Sequence, residues 1–139
     1  MLESGLTVLN AVPRVGDFNG DGLTDLGGSV SNTWSTYPHA GLPGERITAA
    51  IDGLGNKVEY GYLPMTSGTV YTKGSSAVFP VRDHQSSAAL VRSLTITPAG
   101  SSAYSLEYQY GGARIHAQGR GYLGMASRVA KDLRNNVTT

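Results

Sequence analysis

Apolar and polar residues alternate along several short stretches of this chain. Residues 57–62, 90–97 and 104–110 carry apolar side chains at nearly every second position. This period is typical of β-strands that turn one face toward a core. Clusters of Gly, Asn, Asp and Pro separate the stretches, as at residues 52–56 and 98–100, where tight turns are expected. The pattern therefore predicts an all-β fold of antiparallel β-hairpins arranged as a meander.

The chain is predicted to divide into two parts joined by a linker. Residues 6–15 and 26–34 read as the two strands of a hairpin, which makes residues 1–34 about half of one propeller blade. Residues 35–45 fit neither the strand nor the helix period and are rich in Pro and Gly, so we assign them to a linker. Residues 46–139 then form an antiparallel sheet.

The second part contains further predicted strands and one long excursion. Residues 47–51 are predicted to form the first strand of a hairpin with 57–62, and residues 125–132 a later strand that pairs back. Residues 64–87 are rich in Ser, Gly and Thr and predict a long loop. After a short piece over 114–118, a glycine-rich corner over 119–124 favours a bulge or close backbone packing.

Composition supports strands and turns over helices. The 139 residues include 19 Gly and 8 Tyr, and only 15% are charged. The net charge is +1 with the basic residues scattered, so we expect no nucleic-acid partner. No apolar run is long enough to cross a bilayer, and the start of the chain has neither the basic nor the apolar segment of a signal peptide. Without cysteine there is no disulfide framework. Because the sequence opens directly on a predicted strand, we expect it to be a piece of a longer protein.

One stretch carries side chains suited to a single ligand. In the run Gly-Asp-Phe-Asn-Gly-Asp-Gly-Leu-Thr-Asp-Leu, oxygen-bearing residues recur at alternating positions and a glycine falls where a loop must bend sharply. Calcium takes six to eight oxygen ligands from loops of this kind. The predicted ligands of a structural Ca²⁺ ion are the side chains of Asp17, Asn19, Asp21 and Asp25 and the main-chain carbonyl of Leu23.

The loop is not that of an EF-hand. Loop position 12, where an EF-hand has a bidentate Glu, is Gly28, and the flanks are short and strand-like. The run resembles instead the FG-GAP (VCBS-type) repeat of β-propeller blades, in which such a loop joins two strands and carries calcium. The alternative is a turn rich in Gly and Asp that holds no metal.

The second part carries a further resemblance. The turn at 52–56 followed by a Tyr-x-Tyr strand, the run Tyr-Gln-Tyr-Gly-Gly-Ala-Arg at 108–114 and the run Gln-Gly-Arg-Gly-Tyr-Leu-Gly at 118–124 are similar to the middle region of the B component of insecticidal toxin complexes. Related segments occur in Rhs/YD-repeat proteins. In that family an FG-GAP propeller precedes a shell of β-hairpins that encloses the toxic region of the C component.

The resemblance implies a role and partners. Residues 1–34 would correspond to a terminal propeller piece, and residues from 46 to the first strands of an Rhs-type shell. The chain would then be a non-catalytic scaffold segment of a secreted virulence protein. Its partners would be other shell segments or the C component, and its open sheet edges would favour self-association. No repeated Tyr-Asp array and no autoproteolysis motif follow within this sequence.

Two other functions stay open from the residues. Tyr60, Tyr62, Tyr108 and Tyr110 could form an aromatic platform of a cell-surface or glycan-binding module, or they could be cross-strand core pairs. Three histidines are available for catalysis, but the sequence has no Gly-x-Ser-x-Gly elbow, no His-Glu-x-x-His motif and no Cys nucleophile. We therefore expect no enzyme activity.

Overall fold

The computed structural model describes residues 13–30, 32–41 and 46–139, and these residues form an all-β fold, as predicted. Among them there is no helix, and their three sheets, antiparallel except for one short parallel pairing, close into neither a barrel nor a propeller. The strands are β1 Arg14–Gly16, β2 Asp25–Val30, β3 Thr33–Tyr37, β4 Ala49–Ile51, β5 Lys57–Pro64, β6 Tyr71–Thr72, β7 Val81–Asp83, β8 Ala89–Thr97, β9 Tyr104–Gly111, β10 Arg114–His116, β11 Gly121–Gly124, β12 Ser127–Asp132 and β13 Val137–Thr138.

The chain divides into two compact units, residues 1–44 and 45–139. In unit 1 the strands follow the order β1-β2-β3 and pair antiparallel. The predicted strand at 6–15 lies mostly outside the described residues. The stretch 26–34 was expected to be one strand, but the chain turns back at Asn32, which has a left-handed φ of 61°. Residues 35–37, assigned to the linker from the sequence, belong to β3.

Gly27 allows the aromatic residues of unit 1 to meet. A Cβ at this position would lie 2.8 Å from the Trp34 ring and 2.9 Å from the Phe18 ring, closer than real side chains approach. The two rings contact each other edge to face, with their centroids 6.0 Å apart. The absence of a side chain at Gly27 thus fixes Phe18, which belongs to the predicted calcium loop, against β2 and β3.

Unit 2 is built on one large sheet with strand order β13-β12-β9-β8-β5-β4. Its central ladder pairs Tyr60 with Leu94, and Leu94 in turn with Leu106. Residues directly opposite each other in an antiparallel ladder share a face. One face, here called the tyrosine face, is therefore mostly apolar, and the other is mostly polar. The tyrosine face comprises Val58, Tyr60, Tyr62, Leu94, Ile96, Tyr104, Leu106, Tyr108 and Tyr110.

Among the described residues the large sheet is a single layer over most of its area, and only at one end do Leu63, Leu90 and Tyr110 pack against a small core. All nine residues of β8, a central strand, are half-buried, on both faces alike. In a two-layer fold the inner face of such a strand would be fully buried. Among the described residues, the buried apolar side chains are instead those of Met65, Val70, Tyr71 and Ala113, which lie outside the β5–β8–β9 ladder.

Three residues of this small core, Met65, Val70 and Tyr71, belong to the excursion between β5 and β8, which was predicted as a long loop, and the fourth, Ala113, lies between β9 and β10. Within the excursion β6 pairs parallel with β9, and β7 pairs with β10, which also pairs with β11 in a third, small sheet. The sequence did not indicate which strands the excursion pairs with, because a two-residue strand such as β6 leaves no periodic signal. The segment therefore folds onto the end of β9.

Tyr71 joins the excursion to the strands around it. Its buried hydroxyl donates to the main-chain oxygen of His84 at 2.7 Å and accepts from the N–H of Ala113 at 3.0 Å. A buried hydroxyl with both partners satisfied is stabilising, but its loss leaves an N–H and a C=O unpaired.

Substitution Tyr71→Phe is expected to lower the free energy of unfolding by about 1–3 kcal/mol, because the buried N–H of Ala113 and the part-buried carbonyl of His84 lose their partner. Tyr122→Phe is the matched control, since that ring is 53% exposed and should change stability by less than about 0.5 kcal/mol. Urea denaturation of both variants measures the difference. Equal effects of the two substitutions would contradict the role given to Tyr71.

Candidate metal site

The loop between β1 and β2 is curled around the carboxylate of Asp17. Asp17 Oδ1 accepts from the N–H groups of Gly20 at 2.6 Å and Asp21 at 3.1 Å, and Oδ2 accepts from that of Gly22 at 3.0 Å. Gly20 and Gly22 have φ values of 80° and 87°, where side-chain-bearing residues are strained. The two glycines thus let consecutive N–H groups point inward at one anion.

The other two polar side chains of the loop join the same turn. Asn19 Nδ2 donates to Asp21 Oδ2 at 2.9 Å, and Asn19 Oδ1 accepts from the N–H of Asp21 at 3.0 Å. Asp21 Oδ1 accepts from the N–H of Leu23 at 2.7 Å. Three of the predicted ligand side chains, those of Asp17, Asn19 and Asp21, therefore lie together on one short loop.

Asp25 occupies a different environment at the start of β2. Its side chain is buried, with the residue 1% exposed. Oδ2 accepts from the N–H of Phe18 at 2.9 Å and Oδ1 from the N–H of His39 at 2.8 Å. Asp25 thus joins the β1–β2 loop to the segment after β3. Nothing in the sequence pattern indicated His39 as its partner, because the two residues lie on different sides of a hairpin.

These main-chain contacts determine the protonation of Asp25. The N–H of His39 is the largest influence and lowers the pKa of the carboxyl; burial acts in the opposite direction, and the N–H groups of Phe18 and Asn19 add to the lowering. The net pKa lies below the ordinary value of 3.8. Asp25 is therefore a buried anion held by backbone donors.

The donor set suits a hard cation in its chemistry. All of the side-chain acceptors are oxygens, carried on a loop that two glycines keep tightly curved, as calcium loops require. In this structure the same oxygens accept the N–H groups of the loop, and the described part of the chain brings no three His, Cys, Asp or Glu side chains together in a metal-binding arrangement. The calcium site stays a prediction for Asp17, Asn19, Asp21, Leu23 and Asp25.

The tyrosines considered as a ligand platform stack along their strands. The rings of Tyr60 and Tyr62 are stacked at 6.4 Å, as are those of Tyr108 and Tyr110. The hydroxyl of Tyr62 donates to the main-chain oxygen of Ile47, and that of Tyr110 to that of Val91. Burial raises the pKa of Tyr110 above its ordinary value, so this phenol stays protonated. These rings are half-buried and tied to their own sheet.

Two of the histidines are engaged in local structure. His84 contacts the Tyr122 ring edge to face at 6.2 Å. His116 Nδ1 accepts from the N–H of Gln118 at 3.2 Å, within a single turn. Neither contact is one that activates a nucleophile.

Comparison with known protein families, with curated proteins and with solved structures gives no match for this chain. Within the described ranges, no helix has the length and apolar character needed to span a bilayer.

The buried anion at Asp25 predicts acid sensitivity. Because its folded pKa is lowered, its contribution to stability is present above the ordinary pKa of 3.8 and is lost as pH falls through the folded pKa. Asp52 and Asp132 also have lowered pKa values, so the wild-type chain should lose stability below about pH 4 at several sites.

The variant Asp25→Asn measures how much of the acid-induced loss of stability comes from Asp25. It should be less stable at neutral pH, because the amide oxygen can accept only one of the two N–H groups and the amide N–H₂ must face the other, and its stability should fall less steeply with acid. Melting temperatures of both proteins between about pH 2.5 and 7 test this. Parallel curves with a constant offset would show that Asp25 is not the titrating group.

Proposed function

We propose that this chain is a non-catalytic scaffold segment of a larger secreted protein, of the kind found in toxin-complex B components and Rhs proteins. The observation that carries the proposal is the single-layer sheet of unit 2. An amphipathic sheet is stable as a layer of a larger body when something covers its apolar face. The described residues leave all nine residues of β8 only half-buried, including Leu90, which packs against the small core.

The residues of the tyrosine face are those typical of a protein interface. Three guanidinium groups lie over its rings: Arg46 over Tyr62 at 5.8 Å, Arg128 over Tyr108 at 6.0 Å and Arg134 over Tyr104 at 4.3 Å. Such contacts attract the guanidinium groups to the ring faces. Tyr and Arg are enriched at protein interfaces. Other shell segments, or the C component, are the partners that this surface supports.

If the tyrosine face is open, the native chain should bind the apolar dye 8-anilinonaphthalene-1-sulfonate while still unfolding cooperatively. Leu94→Thr, at the centre of that face, should lower the dye fluorescence of the folded protein at least about twofold, since it removes apolar contact area but keeps strand propensity. Val78→Thr is the control, at a site that is 79% exposed outside the sheet. A native protein that does not bind the dye would argue that the face is covered within the chain.

The loop over residues 17–25 is proposed to bind Ca²⁺ through Asp17, Asn19, Asp21, Asp25 and the carbonyl of Leu23. Bound calcium would supply positive charge to the carboxylates of Asp17, Asp21 and Asp25. The residues of the chain do the positioning: Gly20 and Gly22 curve the loop, and the Phe18–Trp34 contact fixes its first turn. The role is structural, holding the β1–β2 hairpin in one conformation.

Calcium addition should raise the melting temperature of unit 1 and slow its proteolysis within residues 16–28, and chelator should reverse both effects, because the ion binds only the folded loop. Asp21→Asn should weaken the response, since it removes a ligand charge but keeps the oxygen. Asp52→Asn, in the turn of unit 2, is the control that should leave the calcium response unchanged. Identical melts with calcium and with chelator would leave the loop as a metal-free turn.

A glycan-binding role is the alternative proposal, and the stacked tyrosine pairs are the observation in its favour. Sugar stacking requires an accessible ring face. Here each pair is half-buried and two hydroxyls are tied to main-chain oxygens, which favours the scaffold role.

A glycan-array screen of the calcium-loaded chain separates the two proposals, with no saturable binding expected. The matched test is Tyr108→Ala against Tyr122→Ala, the latter outside the tyrosine face. Binding to one glycan class that Tyr108→Ala abolishes and Tyr122→Ala keeps would replace the scaffold proposal.

A panel of hydrolase substrates should give no turnover above that of buffer.

A further inference from the structure

The outer edge of β4 is open in unit 2. β4 is the terminal strand of the large sheet, and in the described part of the chain it pairs only with β5. The N–H of Tyr60 donates to the oxygen of Thr48, and the N–H of Asp52 donates to the oxygen of Asn56. Since hydrogen-bonded pairs alternate in an antiparallel ladder, Thr48, Ala50 and Asp52 face β5 with their main-chain groups.

The intervening residues point their main-chain groups away from β5. Ala49 and Ile51 therefore present an N–H and a C=O each to the outside. Ile47 continues this series, and its carbonyl also accepts from the hydroxyl of Tyr62, which leaves its N–H and one lone pair. The result is a row of strand-pairing groups along one edge.

This edge, whose strand β4 is three residues long, lacks charge, Pro and a bulge, which commonly protect an edge strand from pairing. Residues 47–51 contain no charge and no Pro, and the ladder to β5 has no bulge there. Ile47 is 66% exposed and Ile51 68% exposed, and they lie on the same side of the strand. At the other end of the sheet, β13 is only two residues long, Val137–Thr138. β4 is thus the edge better suited to accept another strand.

The sequence of this edge is complementary to itself. Residues 46–52 read Arg-Ile-Thr-Ala-Ala-Ile-Asp. If a second copy runs antiparallel with Ala49 opposite Ala49, then Ile47 faces Ile51 of the other copy. In the same register Arg46 faces Asp52, and Thr48 faces Ala50.

We propose that unit 2 forms a two-fold symmetric dimer by antiparallel pairing of β4 with β4 of a second copy, centred on Ala49. Each pair of outward-facing residues exchanges two main-chain hydrogen bonds, which joins the two large sheets into one. The isoleucines then pack as two Ile47–Ile51 pairs on one face of the joined sheet, one on each side of the central Ala49 pair. Arg46 and Asp52 of opposite copies meet on the other face as unlike charges.

The charges already present are compatible with this register. Asp52 is held as an anion by its turn, since Asn56 and the N–H of Leu54 donate to it and lower its pKa. Lys57 and Glu59, the β5 residues beside Ile51 and Ala49, form an ion pair at 2.8 Å within one copy. The dimer uses only the edge of unit 2, so it does not depend on the calcium site or on the scaffold proposal.

Sedimentation equilibrium of the full chain tests the pairing, at concentrations up to about 0.5 mM. The wild-type chain is expected to dimerise, and Ile51→Lys to raise the dissociation constant at least about tenfold, because a lysine would replace one isoleucine in each Ile47–Ile51 pair. Val78→Lys, which adds the same charge at a site 79% exposed elsewhere, should leave the constant unchanged. A wild-type monomer throughout, or a dimer that Ile51→Lys does not weaken, overturns the proposal.

Two further variants test the register without altering the fold. Ala49→Pro removes an outward N–H that β5 does not use, so it should weaken the dimer at least about tenfold and leave the melting of a dilute sample nearly unchanged.

The chain has no native cysteine, so an introduced one is unique. Ala49→Cys should form an intermolecular disulfide under mild oxidation, since hydrogen-bonded antiparallel partners lie about 5.5 Å apart at Cα. Ser101→Cys, in the exposed turn before β9, is the control and should remain monomeric on a non-reducing gel. Equal cross-linking of the two variants would show random collision and refute the register.

Discussion

The main-chain ladder through β5, β8 and β9 is the interaction on which unit 2 depends. A single-layer sheet gains little from burial, because each face retains contact with water. Its cohesion must then come from pairing along the strands and from side chains packing with neighbours on the same face. Leu94 illustrates this, since it lies between Tyr60 on one strand and Leu106 on the other. The hydroxyls of Thr95 and Ser105 form a hydrogen bond at 3.0 Å on the opposite face.

Unit 1 is organised by a different principle, in which carboxylates take the place of a core. Asp17 gathers the N–H groups of its own loop, and Asp25 gathers N–H groups from that loop and from the segment after β3. A buried carboxylate is costly unless backbone donors satisfy it. The N–H groups that Asp25 accepts come from two segments that are distant in sequence. The Asp25 carboxylate therefore determines how the β2–β3 hairpin and the β1–β2 loop pack together. The same requirement explains why Gly20 and Gly22 occupy the sharpest part of the bend.

The strands of unit 2 could be predicted from the sequence because their two-residue period is strong. The stretches 57–62, 90–97 and 104–110 correspond to β5, β8 and β9, and the turn at 52–56 joins β4 and β5. The division of 26–34 into two strands was missed, since Asn32 is a weaker turn signal than Gly or Pro. The small core was missed for another reason. Val70 and Tyr71 are isolated apolar residues in a polar stretch, and their burial depends on contacts with strands far along the chain.

The candidate site was only partly predictable. Spacing alone identified the acidic loop and its glycines, because oxygen at alternate positions is a local property. The N–H of His39, which influences Asp25 most strongly, comes from a segment whose position depends on the β2–β3 pairing. No local pattern encodes such a contact. The residues of the edge at 46–52 could be read from the sequence. Their self-complementarity could be recognised only from the β4–β5 ladder, which shows which main-chain groups point outward.

The place where the excursion leaves and rejoins the large sheet has a consequence for folding kinetics. Pro64 and Ala89 lie opposite each other as the last pair of the β5–β8 ladder. Residues 65–88 therefore form a loop whose two ends meet at this pair. The entropy of closing a loop rises with its length, and the connection between β8 and β9 over 98–103 is much shorter. Pairing of β8 with β9 therefore costs less chain entropy than pairing of β5 with β8. The cluster around Val70 and Tyr71, which lies within the longer loop, offsets part of that larger cost.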